Sequence, residues 1–357
     1  MKILFVNTGI SVGGAEKSMV FVADSMAEKG HDVTFLTYRD DDISCQPGAK
    51  VRYEHIKLED KGGSIKQMLS TVFFLHKYIK NHRFDIAVAF LSPSQLRLFL
   101  AAAFTKTKVV VSQRGDPYNT SGSAFDFFFK RLFRSADGLV FQTENAMKFY
   151  GKKVNKKSVV IPNPCQPLKR TKPVNEREHI ITTASRLDLK QKRQDVLISA
   201  FNIFSKENQD YKLYIFGDGE DKPEIEKLAQ SNPNIKLMGV TNDIAASIQE
   251  STFFVLTSDF EGIPNALIEA MSLGLPCIST KCSPGGAEFL IKDSVSGLLV
   301  ERGDINGLAK AMKRLADDGE LRAVLSKNAI YVNEKFKPET IAKEWEDFLI
   351  GIMRYEK

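Results

Sequence analysis

Short β-branched runs alternate with helical patterns along almost the whole chain, and the alternation breaks only once. In the first half the runs are KILFVN, DVTFLT, VRYEHI, DIAVAF, KVVVSQ, GLVFQ and SVVIP, with helical patterns such as residues 14–29 and 64–82 between them. Runs apolar on both sides belong in a sheet covered on both faces, and intervening helices make the crossovers that parallel strands need. The segment PNPCQPLKRTKPVNERE, 162–178, has no periodicity and is rich in proline and charge, as an interdomain linker is. The pattern then restarts with HIITTAS, YKLYIFG, NIKLMG, TFFVLT, PCIST and GLLV. The predicted fold class is α/β, with two doubly wound Rossmann-like domains: 1–165, a linker at 166–177, and 178–336. A last helical stretch, 337–357, carries the only tryptophan, Trp345, and can cross back to the first domain. A length of 357 residues suits two cores better than one.

Charge and composition narrow the partners. The net charge is +6, but residues 1–170 hold 26 Lys+Arg against 15 Asp+Glu, while the remainder holds 24 against 29. The first half is therefore expected to meet something anionic. Nucleic acid is the poorer candidate, because no recognition motif accompanies the charge. Phospholipid and a phosphorylated substrate remain. No apolar run reaches the ~18 residues of a membrane span, and MKILFVNTGI reads as a strand rather than a signal peptide. Cys45, Cys165, Cys277 and Cys282 show no metal-ligand spacing and are expected to be reduced, buried thiols of a cytosolic protein. Asp40 to Asp42 read as a solvated turn.

In doubly wound sheets ligands gather at the carboxyl ends of strands, and three such ends carry candidate chemistry. NTGISVGGAEKS, 7–18, places glycines before a helix, where a phosphate can approach backbone N–H groups; a tight turn without ligand explains it equally well. ASRLDLKQKRQD, 184–195, sets Arg186 and Lys192 after a strand, with Lys190 and Arg193 beside them. Cations at a helix start oppose the dipole, so a bound diphosphate is the better explanation of the two. SDFEGIPNALIEAM, 258–271, puts Glu261 in a loop, Pro264 at the expected first helical position and Glu269 a turn into the helix. Phosphates at that helix mouth, one carboxylate on a sugar and another on ribose hydroxyls would use both acids. A dipole-complementing acid with a surface glutamate is the bland alternative. GDG at 217–219 is too little for a dinucleotide fingerprint. A fourth stretch, AFDFFFKRLFR at 124–134, has Phe125, Phe128, Phe129, Leu132 and Phe133 on one apolar stripe. Phe127, Lys130, Arg131 and Arg134 lie on the other face, which suits an anionic membrane surface or plain solvent.

Taken together and in order, GGAE, SRL with its following lysine, GDGE, EGIPNALIEAM and SLGLP resemble the family-4 retaining glycosyltransferases of the GT-B fold over nearly the whole chain. SQRGDPY, DGLVFQTENAMKFY and VVIPNP resemble the branch that builds bacterial surface polysaccharide on lipid-linked carriers. The resemblance implies two domains facing across a cleft and a UDP-sugar donor (GalNAc, Gal, GlcNAc or Glc). It also implies a polyprenyl diphosphate saccharide acceptor, no metal or other cofactor, and work on the cytoplasmic face of the membrane. It implies that Glu261, Arg186 and Lys192 are catalytic. Gly13, Gly14, Gly262, Ile263, Asn265, Ala266 and Glu269 would join Arg186 and Lys192 around the donor, with GGAE at 285–288 as a further loop nearby. One residue more than the family's usual spacing separates Arg186 from Lys192, so Lys190 stays a candidate for the phosphate. Where many relatives carry a histidine, Arg114 stands between Gln113 and Asp116, and it becomes the acceptor-side candidate. Readings from other classes are a non-catalytic GT-B partner subunit and a sugar-nucleotide epimerase.

Overall fold

The computed structural model describes residues 1–10, 14–38, 45–56, 65–119, 130–168, 173 and 176–354. Two compact units divide the chain: Met1–Asn163 with Glu339–Lys357, and Pro164–Pro338.

The first unit holds strands β1 (Lys2–Asn7), β2 (Asp32–Thr37), β3 (Arg52–His55), β4 (Ile86–Ala89), β5 (Lys108–Gln113), β6 (Gly138–Phe141) and β7 (Ser158–Val160). They form one sheet in the order β3-β2-β1-β4-β5-β6-β7. Every pairing is parallel, for example Ile3 to Val33 and Ile3 to Ile86. Helices α1 (Gly14–Glu28), α2 (Ile65–His82), α3 (Ser92–Ala102), α4 (Glu144–Phe149) and α5 (Lys152–Asn155) are its crossovers, and residues 130–135 are helical too. Central strands β4 and β6 are buried at every position, as strands covered on both faces must be.

In the second unit β8 (Glu178–Ala184), β9 (Lys212–Phe216), β10 (Ile235–Gly239), β11 (Ser251–Leu256), β12 (Cys277–Thr280) and β13 (Leu298–Val300) run in the order β10-β9-β8-β11-β12-β13. Its helices are α6 (Gln194–Phe204), α7 (Lys222–Ala229), α8 (Ile244–Ile248), α9 (Asn265–Ser272), α10 (Gly286–Leu290), α11 (Ile305–Asp317), α12 (Gly319–Ala329) and α13 (Val332–Lys335). Each sheet is thus doubly wound, with its strand order reversing between β1 and β4 and between β8 and β11. The loops leaving those strands diverge to opposite faces and leave a crevice between them.

Helix α14 (Pro338–Arg354) lies almost wholly in the first unit. Trp345 has no exposed surface and stacks on Phe90 with ring centroids 5.5 Å apart. Glu346 takes Lys29 at 2.9 Å and His31 at 3.3 Å, at the end of α1. A glycine at 138 makes room for the last turns of α14, because a Cβ there would lie 2.7 Å from Ile352 Cδ1 and 2.8 Å from Phe348 Cζ. The segment read as a linker follows the second unit over its described part: the Leu168 N–H donates to Ser272 Oγ at 3.1 Å, and buried Arg177 donates to the Leu273 carbonyl at 3.3 Å.

Candidate active site

The switch point of the second sheet brings together two of the predicted segments. β8 ends at Ala184 and delivers 185–193; β11 ends at Leu256 and delivers 257–264. Their backbones join, with the Asp259 N–H donating to the Gln191 carbonyl at 2.8 Å and Thr257 Oγ1 to the Lys192 carbonyl at 2.8 Å. Between them Lys192 Nζ pairs with Glu261 Oε1, the two side chains 16% and 10% exposed. Ser258 Oγ donates to the same oxygen at 2.7 Å. Among the described residues Glu261 Oε2 has no such protein partner. A half-enclosed pair of this kind holds both groups in fixed orientation, and removing either one strands the other.

The remaining cations divide. Arg186 is largely exposed, its Nη2 donating to Asp188 Oδ2 at 2.7 Å and Gln191 Oε1 at 3.1 Å. Lys190 is exposed and shares a surface pocket with Arg186, Asp218 and Glu220. Arg193 has a left-handed backbone (φ 53°, ψ 47°) at the start of α6 and bridges Asp195 and Asp259, each at 3.0 Å. Hydrogen bonds to those two carboxylates push its pKa up. Arg193 therefore ties the two loops together from behind, while Lys192 faces Glu261.

Helix α9 begins one residue later than its sequence suggested. Pro264 is the cap rather than the first helical residue, with extended backbone (φ −75°, ψ 108°), and no side chain caps the helix. A helix mouth without a side-chain cap is a place where an anion can meet backbone N–H groups. Glu269 is partly buried one turn in. The loop is held from the other side as well. The Glu261 N–H donates to the Ser283 carbonyl at 2.7 Å, the Ser283 N–H donates to the Asp259 carbonyl at 3.0 Å, and a Cβ on Gly286 would meet the Gly262 carbonyl at 2.0 Å. Glycines at 217 and 219 do the same for the first loop, where added Cβ atoms would fall 1.9 Å from the Ser185 carbonyl and 2.2 Å from that of Leu187. GDG is too short for a fingerprint, yet both glycines are steric requirements of the site. The interlocked carbonyls were invisible in sequence, as were Ser258 and Arg193 as supports.

In the first unit Arg114 follows β5 and lies over Phe90 at 4.3 Å and Trp345 at 5.8 Å. Its Nη1 donates to Asn163 Oδ1 at 2.7 Å, an oxygen that also accepts from Ser18 Oγ and Gln142 Nε2, each at 2.9 Å. Burial pulls the guanidinium down to about 9, so it stays charged at neutral pH. Asn163 lies in the VVIPNP motif, but only the fold shows it as the shared acceptor. Gly14 opens α1; Gly13, Phe127 and Asp40 to Asp42 lie outside the described residues. Phe133 is buried in the core, Lys130 Nζ sits 3.9 Å over the Phe149 ring, and Arg131 and Arg134 are exposed. Among the described residues no group of three or more His, Cys, Asp or Glu is placed to hold a metal ion, and no helix is long and apolar enough to cross a membrane.

Residues 12–167 match the model of Glycosyltransferase Family 4, and residues 178–318 match that of Glycosyl transferases group 1. The chain belongs to these glycosyltransferases. The transferase is 26% identical over 353 residues to an uncharacterized glycosyltransferase of Haemophilus influenzae, covering 95% of this chain and 97% of that one. It is 24% identical over 351 residues to a Campylobacter jejuni α-1,4-N-acetyl-D-galactosaminyltransferase named for a diNAcBac-PP-undecaprenol-linked substrate, covering 97% of each. Among solved structures it superposes on Anabaena HepE, determined with UDP and glucose, with a TM-score of 0.81 at 19% identity, covering 98% of this chain and 99% of that one. The transferase accordingly has the GT-B fold.

Proposed function

We propose that this transferase moves a hexose or N-acetylhexosamine from a UDP-sugar to a hydroxyl of a polyprenyl diphosphate-linked saccharide, with retention and without a metal. It would do so at the inner face of the cytoplasmic membrane, in bacterial cell-surface polysaccharide synthesis. The observation that carries the reading is the Lys192–Glu261 pair at the β8/β11 switch point, beside the mouth of α9 that has no side-chain cap. The C. jejuni relative's name supplies the lipid-linked acceptor, and HepE was solved with UDP-glucose as well as with UDP and glucose.

The chemistry follows from the charges. As the bond from the anomeric carbon to the β-phosphate oxygen breaks, its electron pair stays on the phosphate, and Lys192, Arg186 and the helix mouth at Gly262 to Ala266 stabilise it. Positive charge grows on the sugar, where Glu261 faces it and Oε2 takes hydroxyls. Glu269 holds the ribose. The acceptor oxygen attacks from the face the phosphate leaves, and its proton passes to that phosphate. A donor analogue with the accepting phosphate oxygen replaced should then react far more slowly; an unchanged rate would rule out the proton transfer. The test of the whole reading is a melting-temperature and turnover panel with UDP, GDP, ADP and the UDP-sugars, with and without EDTA. A UDP shift that survives EDTA and is lost in Arg186→Ala is expected, since ligands of the native state raise its stability with concentration over Kd. No shift with any nucleotide would overturn the proposal.

A further inference from the structure

The outer face of α2 and the end of α3 form a surface that a folded protein does not ordinarily leave bare. The core side of α2 is conventional: Thr71, Leu75, Tyr78 and Ile79 are buried. On the opposite side Ile65, Leu69 and Phe73, four residues apart and so on one face, are 75%, 55% and 73% exposed. Lys66, Lys77 and Lys80 are exposed along the same flank. The patch continues onto α3. His76 Nδ1 and the Ala101 carbonyl are 2.8 Å apart, joining the helices, and beside that joint Leu100 is 41% exposed and Phe104 fully exposed. Five of the twelve exposed large apolar side chains among the described residues fall within residues 65–104. Electrostatics is equally one-sided: residues 65–106 contain six Lys+Arg and a single acid, Asp85. That acid is engaged in the fold, accepting from the Lys2 N–H at 2.7 Å.

From this we infer that α2 and the end of α3 dock the first unit on an anionic lipid bilayer, with Ile65, Leu69, Phe73 and Phe104 entering the headgroup layer and Lys66, Lys77, Lys80 and Lys106 meeting lipid phosphates. An apolar stripe flanked by lysines and free of acids is the composition of a helix lying in a membrane interface. A protein partner would need complementary acids against six dispersed lysines and arginines and a pocket for each aromatic. A bilayer needs neither. This surface is distinct from the basic face at 130–134, and it gives the lipid-linked acceptor reading, on which its purpose rests, a place of attachment.

The experiment is co-sedimentation of the full chain with vesicles of phosphatidylcholine alone and vesicles enriched in phosphatidylglycerol, neither containing an acceptor lipid. The wild type is expected to bind the anionic vesicles, more weakly as salt rises. The pair Leu69→Glu with Phe73→Glu should lower that binding about tenfold or more at unchanged melting temperature, because both side chains already face water. Lys66→Gln with Lys77→Gln and Lys80→Gln should remove most of the salt dependence. A wild type that ignores anionic vesicles overturns the inference. So does a Glu pair that binds as tightly, loss of binding on Arg131→Gln with Arg134→Gln but not on the α2 changes, or a self-association that the Glu pair dissolves while vesicle binding persists. Transfer to a water-soluble short acceptor is read in parallel. Its failure with vesicle binding intact counts against the proposed reaction alone.

Discussion

Both units partly bury a cation at the carboxyl end of a strand, and they manage it in opposite ways. In the second unit Lys192 and Arg193 meet carboxylates, Glu261, Asp195 and Asp259. In the first, Arg114 meets two aromatic faces and an amide oxygen, and no carboxylate partner among the described residues. A charge paired with a carboxylate can exchange that partner for an incoming phosphate and remain neutralised itself. A charge held by π faces has no partner to exchange and pays desolvation in full. The first arrangement suits a site that must open to a diphosphate; the second keeps a rigid cationic floor under whatever lies above β5.

The largest expected effect tests the aromatic side. Trp345→Ala empties a fully buried site beneath Arg114 and should destabilise by ~3–5 kcal/mol, read as a lower melting temperature for the first unit's transition. If that transition does not move, α14 is not what holds Arg114. On the paired side, Lys192→Ala should reduce kcat by about 10²–10³, or ~3–4 kcal/mol of transition-state stabilisation, with a smaller change in KM. A variant with full activity would shift the role to Lys190. Gly286→Ala sets a Cβ against the Gly262 carbonyl, which is backbone and cannot rotate away, so about 2–3 kcal/mol and most activity should go. Gly351→Ala, whose Cβ would have nothing within 4 Å, is the silent control. The smallest effect is the sharpest: Arg114→Met keeps the stacking volume and removes the unpaired charge, so stability should hold or rise by about 1 kcal/mol while transfer falls. A fall in stability of several kcal/mol would mean that the π faces compensate the charge after all.

How much could be read beforehand follows from the same contrast. Central strands could be read because burial on both faces leaves an apolar run, and all thirteen runs form strands, the partly exposed β3 and β10 among them. Glu261, Lys192 and Arg186 could be listed because charges at strand ends are conspicuous. That Lys192 and not Arg186 pairs with Glu261 could not, since it depends on which of two neighbouring loops turns inward. Pro264 was misplaced by one residue because proline fits both the cap and the first turn. Phe90 and Trp345 looked like ordinary core residues; nothing local says that two aromatics 255 positions apart will stack on each other with a guanidinium over them. The exposed stripe of α2 was missed because helical spacing of apolar residues is normally the mark of a face turned inward.

The second unit is one continuous stretch, Pro164–Pro338, whereas the first is finished by residues beyond it. On a ribosome the order of completion is therefore reversed. Some 180 residues separate Asn163 from Trp345, and at about 5–20 residues per second they take on the order of 10–40 s to make. Through that interval Phe90 and Gly138 wait with their partners unsynthesised, and the second unit has its whole sequence once Pro338 is made, before Trp345 arrives. The nascent first unit is thus the part of this chain that most needs shelter, and a truncation a few residues short of Trp345 should strand it unfinished beside a complete neighbour.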